Sequence, residues 1–95
     1  MNSTISTKHD QAVLAWGKAF AKAGWITYVH LPGYDRPPLI NWYIPDVYAV
    51  HGIEVTILEV EDEESITSQH TKLQLAAFDA WAKASPHRRF LVKGS

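Results

Sequence analysis

Three acidic side chains in the middle of this chain, Asp46, Glu59 and Glu61, have the types and spacing of a site for a hard divalent cation. Side chains alternate along a strand, so Glu59 and Glu61 share a face with Val55 and Ile57, while Leu58 and Val60 point the other way. Both faces are apolar until the segment ends, the pattern of a central strand that emerges into a pocket. A two-residue turn at His51-Gly52, an X-Gly pair suited to a tight hairpin, sets Val50 opposite Ile53 and Asp46 opposite Ile57. Asp46 then joins the face of the two glutamates as a diagonal neighbour of Glu59, roughly 7–8 Å away between backbones. A three-residue loop would reverse the parity and separate them. Clustered carboxylates repel unless a proton or cation balances them. Oxygen-only ligands select Mg²⁺, Mn²⁺ or Ca²⁺. The competing reading, acids that coat a solvent-facing edge and bind nothing, leaves Val55 and Ile57 beside them without a purpose.

The elements that must position these acids follow from periodicity. Residues 9–23 read as a helix, with Val13, Trp16, Phe20 and Ala23 at helical spacing and Gly24 as a stop. Residues 25–30 read as a strand, and residues 31–38 as a loop punctuated by Pro and Gly. Strands over 42–50 and 53–61 form the hairpin. A second helix spans 65–85, with an apolar stripe of Leu73, Ala77, Trp81 and Ala84 widened by Leu75 and Phe78. Pro86 ends it, because the residue before a proline avoids the helical conformation. Residues 89–93 form a last short strand, parallel to 53–61 if the intervening helix makes a right-handed crossover.

Pro45-Asp46, a hairpin, and then Ile57-Leu58-Glu59-Val60-Glu61 resembles the PD-(D/E)XK nuclease superfamily, the restriction-endonuclease-like fold. The α-β-β-β-α-β order is similar to its common core, so the resemblance covers nearly the whole chain. It implies an α/β fold with a mixed four-stranded sheet flanked by helices, and a Mg²⁺- or Mn²⁺-dependent nuclease acting on DNA. It further implies that Asp46 and Glu59 ligate the metal, with the Val60 carbonyl as a further ligand. The third motif position is normally lysine and is Glu61 here. Some members of this fold carry glutamate there and remain active, and other branches move the lysine onto the following helix, where Lys72 is the candidate. Gln69 shares its face and resembles a glutamine found there in several branches. Many members place an acid on the first helix, for which Asp10 is the stand-in. Glu61 or Lys72 would then orient or deprotonate the attacking water, and Arg88, Arg89 and Lys93 would contact the nucleic-acid backbone. The alternative is a catalytically inactive binding or subunit domain of the same fold, and a third reading is a structural α/β domain without a metal.

Bulk properties narrow the remaining classes. Ninety-five residues suit one domain, 1–95, and a hydrophobic fraction of 46% argues against disorder. Four Trp, four Tyr and three Phe are more than so small a domain readily covers, so a homodimer is expected. With no cysteine, disulfides, thiolate metal sites and thiol nucleophiles are excluded. The polar start, and the lack of any apolar run near the ~20 residues that span a bilayer, predict a cytoplasmic protein without a membrane segment. No dinucleotide fingerprint, P-loop or Gly-x-Ser-x-Gly elbow is present, so no organic cofactor or serine triad is expected. His9, His30, His51, His70 and His87 lack zinc-site spacing. Trp16, Trp25, Trp42 and Trp81 read as core or dimer contacts, except that the hairpin register sets Trp42 opposite Glu61 at the pocket rim.

Overall fold

The structure, a computed structural model, describes residues 7–95. Helix α1 spans Lys8–Lys22 and is capped by Thr7, whose hydroxyl accepts a hydrogen bond from the Asp10 amide at 3.0 Å. Gly24, with φ +94°, turns the chain into strand β1, Ile26–Val29. Strands β2 (Val47–His51) and β3 (Glu54–Glu61) form the hairpin, helix α2 spans Gln69–Lys83, and strand β4 covers Arg88–Gly94. The sheet order is β1-β2-β3-β4, antiparallel across the first three strands and parallel between β3 and β4. This is the expected α-β-β-β-α-β order and mixed four-stranded sheet with helices packed against it. No helix among the described residues is long and apolar enough to cross a membrane.

Three expected boundaries shift for identifiable reasons. The hairpin turn is Gly52-Ile53, not His51-Gly52, because His51 pairs with Glu54. Gly52, at φ +63°, occupies the first central position, as glycine does in a type II′ turn, rather than the second. Strand β2 starts at Val47 instead of residue 42. Before it, Ile40 and Tyr43 form an isolated bridge around Asn41 and Trp42, both with positive φ, and Pro45 cannot donate to a ladder. The expected helix over 65–85 divides into a 3₁₀ turn, Ser65–Thr67, and α2, because the Ser68 hydroxyl caps α2 by accepting from the Thr71 amide.

Strand β3 is the central element, buried without interruption from Thr56 to Val60. Leu58 and Val60 face α1, packing with Val13, Val29, Leu31 and Val47. Ile57 faces α2, packing with Phe78 and Ile40. Helix α1 lies very close to the sheet. A Cβ on Gly17 would sit 2.6 Å from Val29 Cγ2, so only glycine permits this approach.

Candidate functional site

Continuing the hairpin register one step past Val47–Leu58 brings Asp46 directly opposite Glu59. The turn is displaced but the parity is unchanged, so the two acids share a face as expected and are closer than a diagonal pair. Each carboxylate binds the backbone of the opposite strand. The Asp46 amide donates to Glu59 Oε2 at 2.6 Å, and the Val60 amide donates to Asp46 Oδ2 at 2.9 Å. In a strand the N–H and C=O of one residue point to the same side, so the Val60 carbonyl lies on the edge facing Asp46. Helix α2 contributes Gln74, whose Nε2 donates to Glu59 Oε1 at 2.6 Å. Helix α1 contributes His9, with Nε2 3.3 Å from Asp46 Oδ2 and Nδ1 3.0 Å from Asp10 Oδ1. Glu61 is half-buried and accepts a hydrogen bond from the Ser65 hydroxyl at 2.7 Å.

Asp46, Glu59, Glu61, Gln74 and His9 line a cavity of about 460 Å³, completed by His30, Leu39, Trp42, Tyr43, Ile44, His70 and Thr71. No lysine or arginine belongs to its lining among the described residues. Burial and the adjacent Asp46 charge push the Glu59 carboxyl up to about 9, assisted by Glu61 and opposed by the Asp46 amide. Burial also raises Asp46, although the Val60 amide and His9 pull the other way. His9 is partly buried, which disfavours its charge. Hydrogen bonds and attraction to Asp10 and Asp46 outweigh that burial and raise it above the ordinary imidazole range. Both shifts run the same way, so without a cation the opposed pair favours sharing a proton.

The residues expected around the pair are only partly brought to it. Asp46, Glu59 and Glu61 line one cavity. Lys72 is exposed on α2 and lies outside the lining, as does exposed Gln69 at its first position. Arg88 and Arg89 pair with Val55 and Thr56 at the opposite end of the β3–β4 ladder. They stand three to four rungs from Glu59, about 10–13 Å along the strand, and the Arg88 guanidinium covers Trp81 instead. Lys93 lies over Trp16, on the α1 side. Trp42 does reach the rim, but from a turn rather than from a rung opposite Glu61. Asp10 meets the site through His9.

Sequence reasoning missed Gln74, Thr71, His9 and His30, and set His70 aside as a surface histidine on the helix although it lines the cavity. The histidines come from three separate elements, so no short spacing announces them. Gln74 and Thr71 sit on the buried face of α2, whereas Leu73, expected in the apolar stripe, is 53% exposed. The inward face of α2 is apolar near Phe78 and polar where it meets the carboxylates, so a search for hydrophobic periodicity follows the wrong residues there.

The donor set fits a hydrated hard cation. Mg²⁺ keeps several waters and takes one or two carboxylates, and buried Glu59 and partly buried Asp46 are two carboxylates with no lysine or arginine in their cavity lining among the described residues. A cage built wholly from side chains is absent: among the described residues no three His, Asp or Glu groups form a metal-holding set. No family model matches the chain, and neither a curated protein nor a solved structure matches it.

Proposed function

We propose that this protein is a divalent-metal-dependent nuclease of the PD-(D/E)XK kind that hydrolyses phosphodiester bonds in DNA. The observation that carries this reading is the directly opposed pair of partly buried Asp46 and buried Glu59, at the mouth of a polar cavity on a mixed sheet of the matching order. Asp46 and Glu59 would hold Mg²⁺ or Mn²⁺, with the Val60 carbonyl beside them. Such an ion, when bound, polarises a phosphate and lowers the pKa of an attacking water. Gln74 fixes the orientation of Glu59 through Oε1, and His9 does the same for Asp46 through Oδ2. Glu61, steadied by Ser65, is the carboxylate positioned to orient the water or take its proton. A homodimer would supply two such sites to a duplex.

The test is incubation of the protein with supercoiled plasmid and Mn²⁺. Cleavage is expected, together with its loss in Asp46→Asn and Glu59→Gln and on chelation. Cleavage that survives Glu59→Gln would come from a contaminant and would remove the support for catalysis. One observation favours a second reading, a subunit domain of the same fold that binds without cutting: the cavity lining lacks the lysine expected at the motif. Calorimetric Mn²⁺ binding that depends on Asp46, in a protein that leaves plasmid intact, would select it.

A further inference from the structure

The turn at Ile40–Tyr43 spends stability without an evident folding return. It is closed by two cross-turn hydrogen bonds, from the Ile40 amide to the Tyr43 carbonyl at 2.7 Å and from the Tyr43 amide to the Ile40 carbonyl at 3.0 Å. Both central residues have positive φ, 48° at Asn41 and 77° at Trp42. That geometry strongly prefers Asn-Gly, because a side chain at the second central position is sterically disfavoured. Asn41 conforms, but the glycine position carries tryptophan. Trp42 is also 90% exposed, so the largest apolar side chain in the chain type is held in solvent on a backbone that resists it.

The turn is firmly mounted. The Asn41 side-chain amide donates to the Ala77 carbonyl on α2 at 3.0 Å. Ile40 is buried against Ile57 and Phe78, and the Tyr43 ring packs edge-on against Phe78 and His70. A strained residue held by well-packed neighbours is the usual signature of a working position rather than of a core residue. Trp42 lines the same cavity as Asp46 and Glu59, with exposed Leu39 beside it.

We infer that the Trp42 indole is a stacking platform for an unpaired nucleobase, so that the substrate is DNA with an unstacked nucleotide beside the scissile phosphate. This rests on the nuclease reading above and narrows it. A lone indole at the tip of a turn can stack only on a base whose face is free, and bases within an intact duplex already have both faces covered. Stacking also tolerates any base, which suits a rim without arginine or lysine.

Binding is measured by fluorescence anisotropy in chelator, so that cleavage does not intervene. Three DNAs are compared: a duplex with one unpaired nucleotide, the same duplex with an abasic residue at that position, and a fully paired duplex. The wild-type chain is expected to prefer the unpaired base by about tenfold over both controls. Trp42→Gly should erase the preference and Trp42→Phe should retain most of it. Trp42→Gly suits the turn better than tryptophan, so its thermal midpoint should hold or rise, separating loss of stacking from loss of fold. Equal affinity for all three DNAs, or a preference unchanged in Trp42→Gly, overturns the inference. So does a Trp42→Gly chain that falls from dimer to monomer in light scattering while its DNA preference persists, which would assign the indole to a second copy. Plasmid cleavage without the unpaired-base preference removes this inference alone, and the preference without any cleavage removes catalysis alone.

Discussion

The two faces of the sheet are built to different ends. The face under α1 carries one continuous apolar cluster of Val13, Val29, Val47, Leu58 and Val60, with buried Thr56 next to Leu58 along β3 and Gly17 drawing the helix down onto Val29. The face under α2 is apolar only around Ile57 and Phe78. It then gives way to buried Glu59 and Thr71 and to partly buried Asp46 and Gln74. Burying an apolar group favours folding, whereas burying a carboxylate opposes it unless hydrogen bonds or a counter-charge compensate. The stability of the fold is thus concentrated on the first face, and the second accepts a local cost in holding the acid pair.

Substitutions on the two faces should therefore fail differently. The largest effect is expected from Glu59→Gln, which should lower Mn²⁺-dependent cleavage by at least about a hundredfold. Its thermal midpoint near neutral pH should stay level or rise, since a neutral amide replaces a carboxyl whose charge burial and Asp46 both oppose. A variant that instead unfolds would show that the α2 face carries stability after all. Gly17→Ala should do the reverse. It gains helix propensity of up to about 1 kcal/mol but drives a methyl into Val29, for a net loss of about 1–3 kcal/mol in denaturant unfolding. Val29→Ala should relieve much of that clash in the double variant, and cleavage well below the midpoint should be unchanged.

Proton linkage gives a third, smaller contrast. Glu59 is raised from 4.5 to about 9 on folding, and Asp46 and His9 are raised as well. Across that window the folded chain binds more protons than the unfolded one, so stability falls as pH rises. Thermal midpoints measured in chelator should decline from about pH 5 to about pH 9, and the slope should flatten in Glu59→Gln. Because Mn²⁺ must displace the proton, its affinity should climb over the same range. A midpoint that rises with pH would contradict the buried pair. The smallest effect is expected at Lys72→Ala, an exposed site outside the cavity, with stability within about 0.5 kcal/mol and cleavage nearly unchanged. A large loss of cleavage there would return the motif lysine's role to α2.

The residues explain why the fold was more legible than the site. Strand β3 could be read because its apolar residues fall on both faces, a pattern reserved for central strands. Asp46 and Glu59 could be paired from a misplaced turn because moving the loop one residue along preserved its two-residue length, and with it the parity of every opposed pair. Residues 42–44 misled because aromatic and β-branched residues suggested a strand where an Asn-Trp turn was held from α2 through Asn41. The surroundings of the pair were least visible. His9, His30 and Gln74 are separated along the chain and meet only when α1, β1 and α2 close on the hairpin. Nothing local in the sequence distinguishes Gln74, which reaches Glu59, from Gln69, which does not.

The crossed amide–carboxylate contacts of Asp46 and Glu59 carry one more consequence, for how descent should be read. They take the place of the hairpin's final main-chain rung, joining the start of β2 to the end of β3. A chain of this fold without any catalysis would still draw on both acids to close its sheet. Retention of the pair among distant relatives is therefore a signature of shared architecture, and the amides of Asp46 and Val60 become natural reporters of it. Their hydrogen exchange should slow or quicken with whatever occupies the carboxylates, whether proton or cation, independently of any activity.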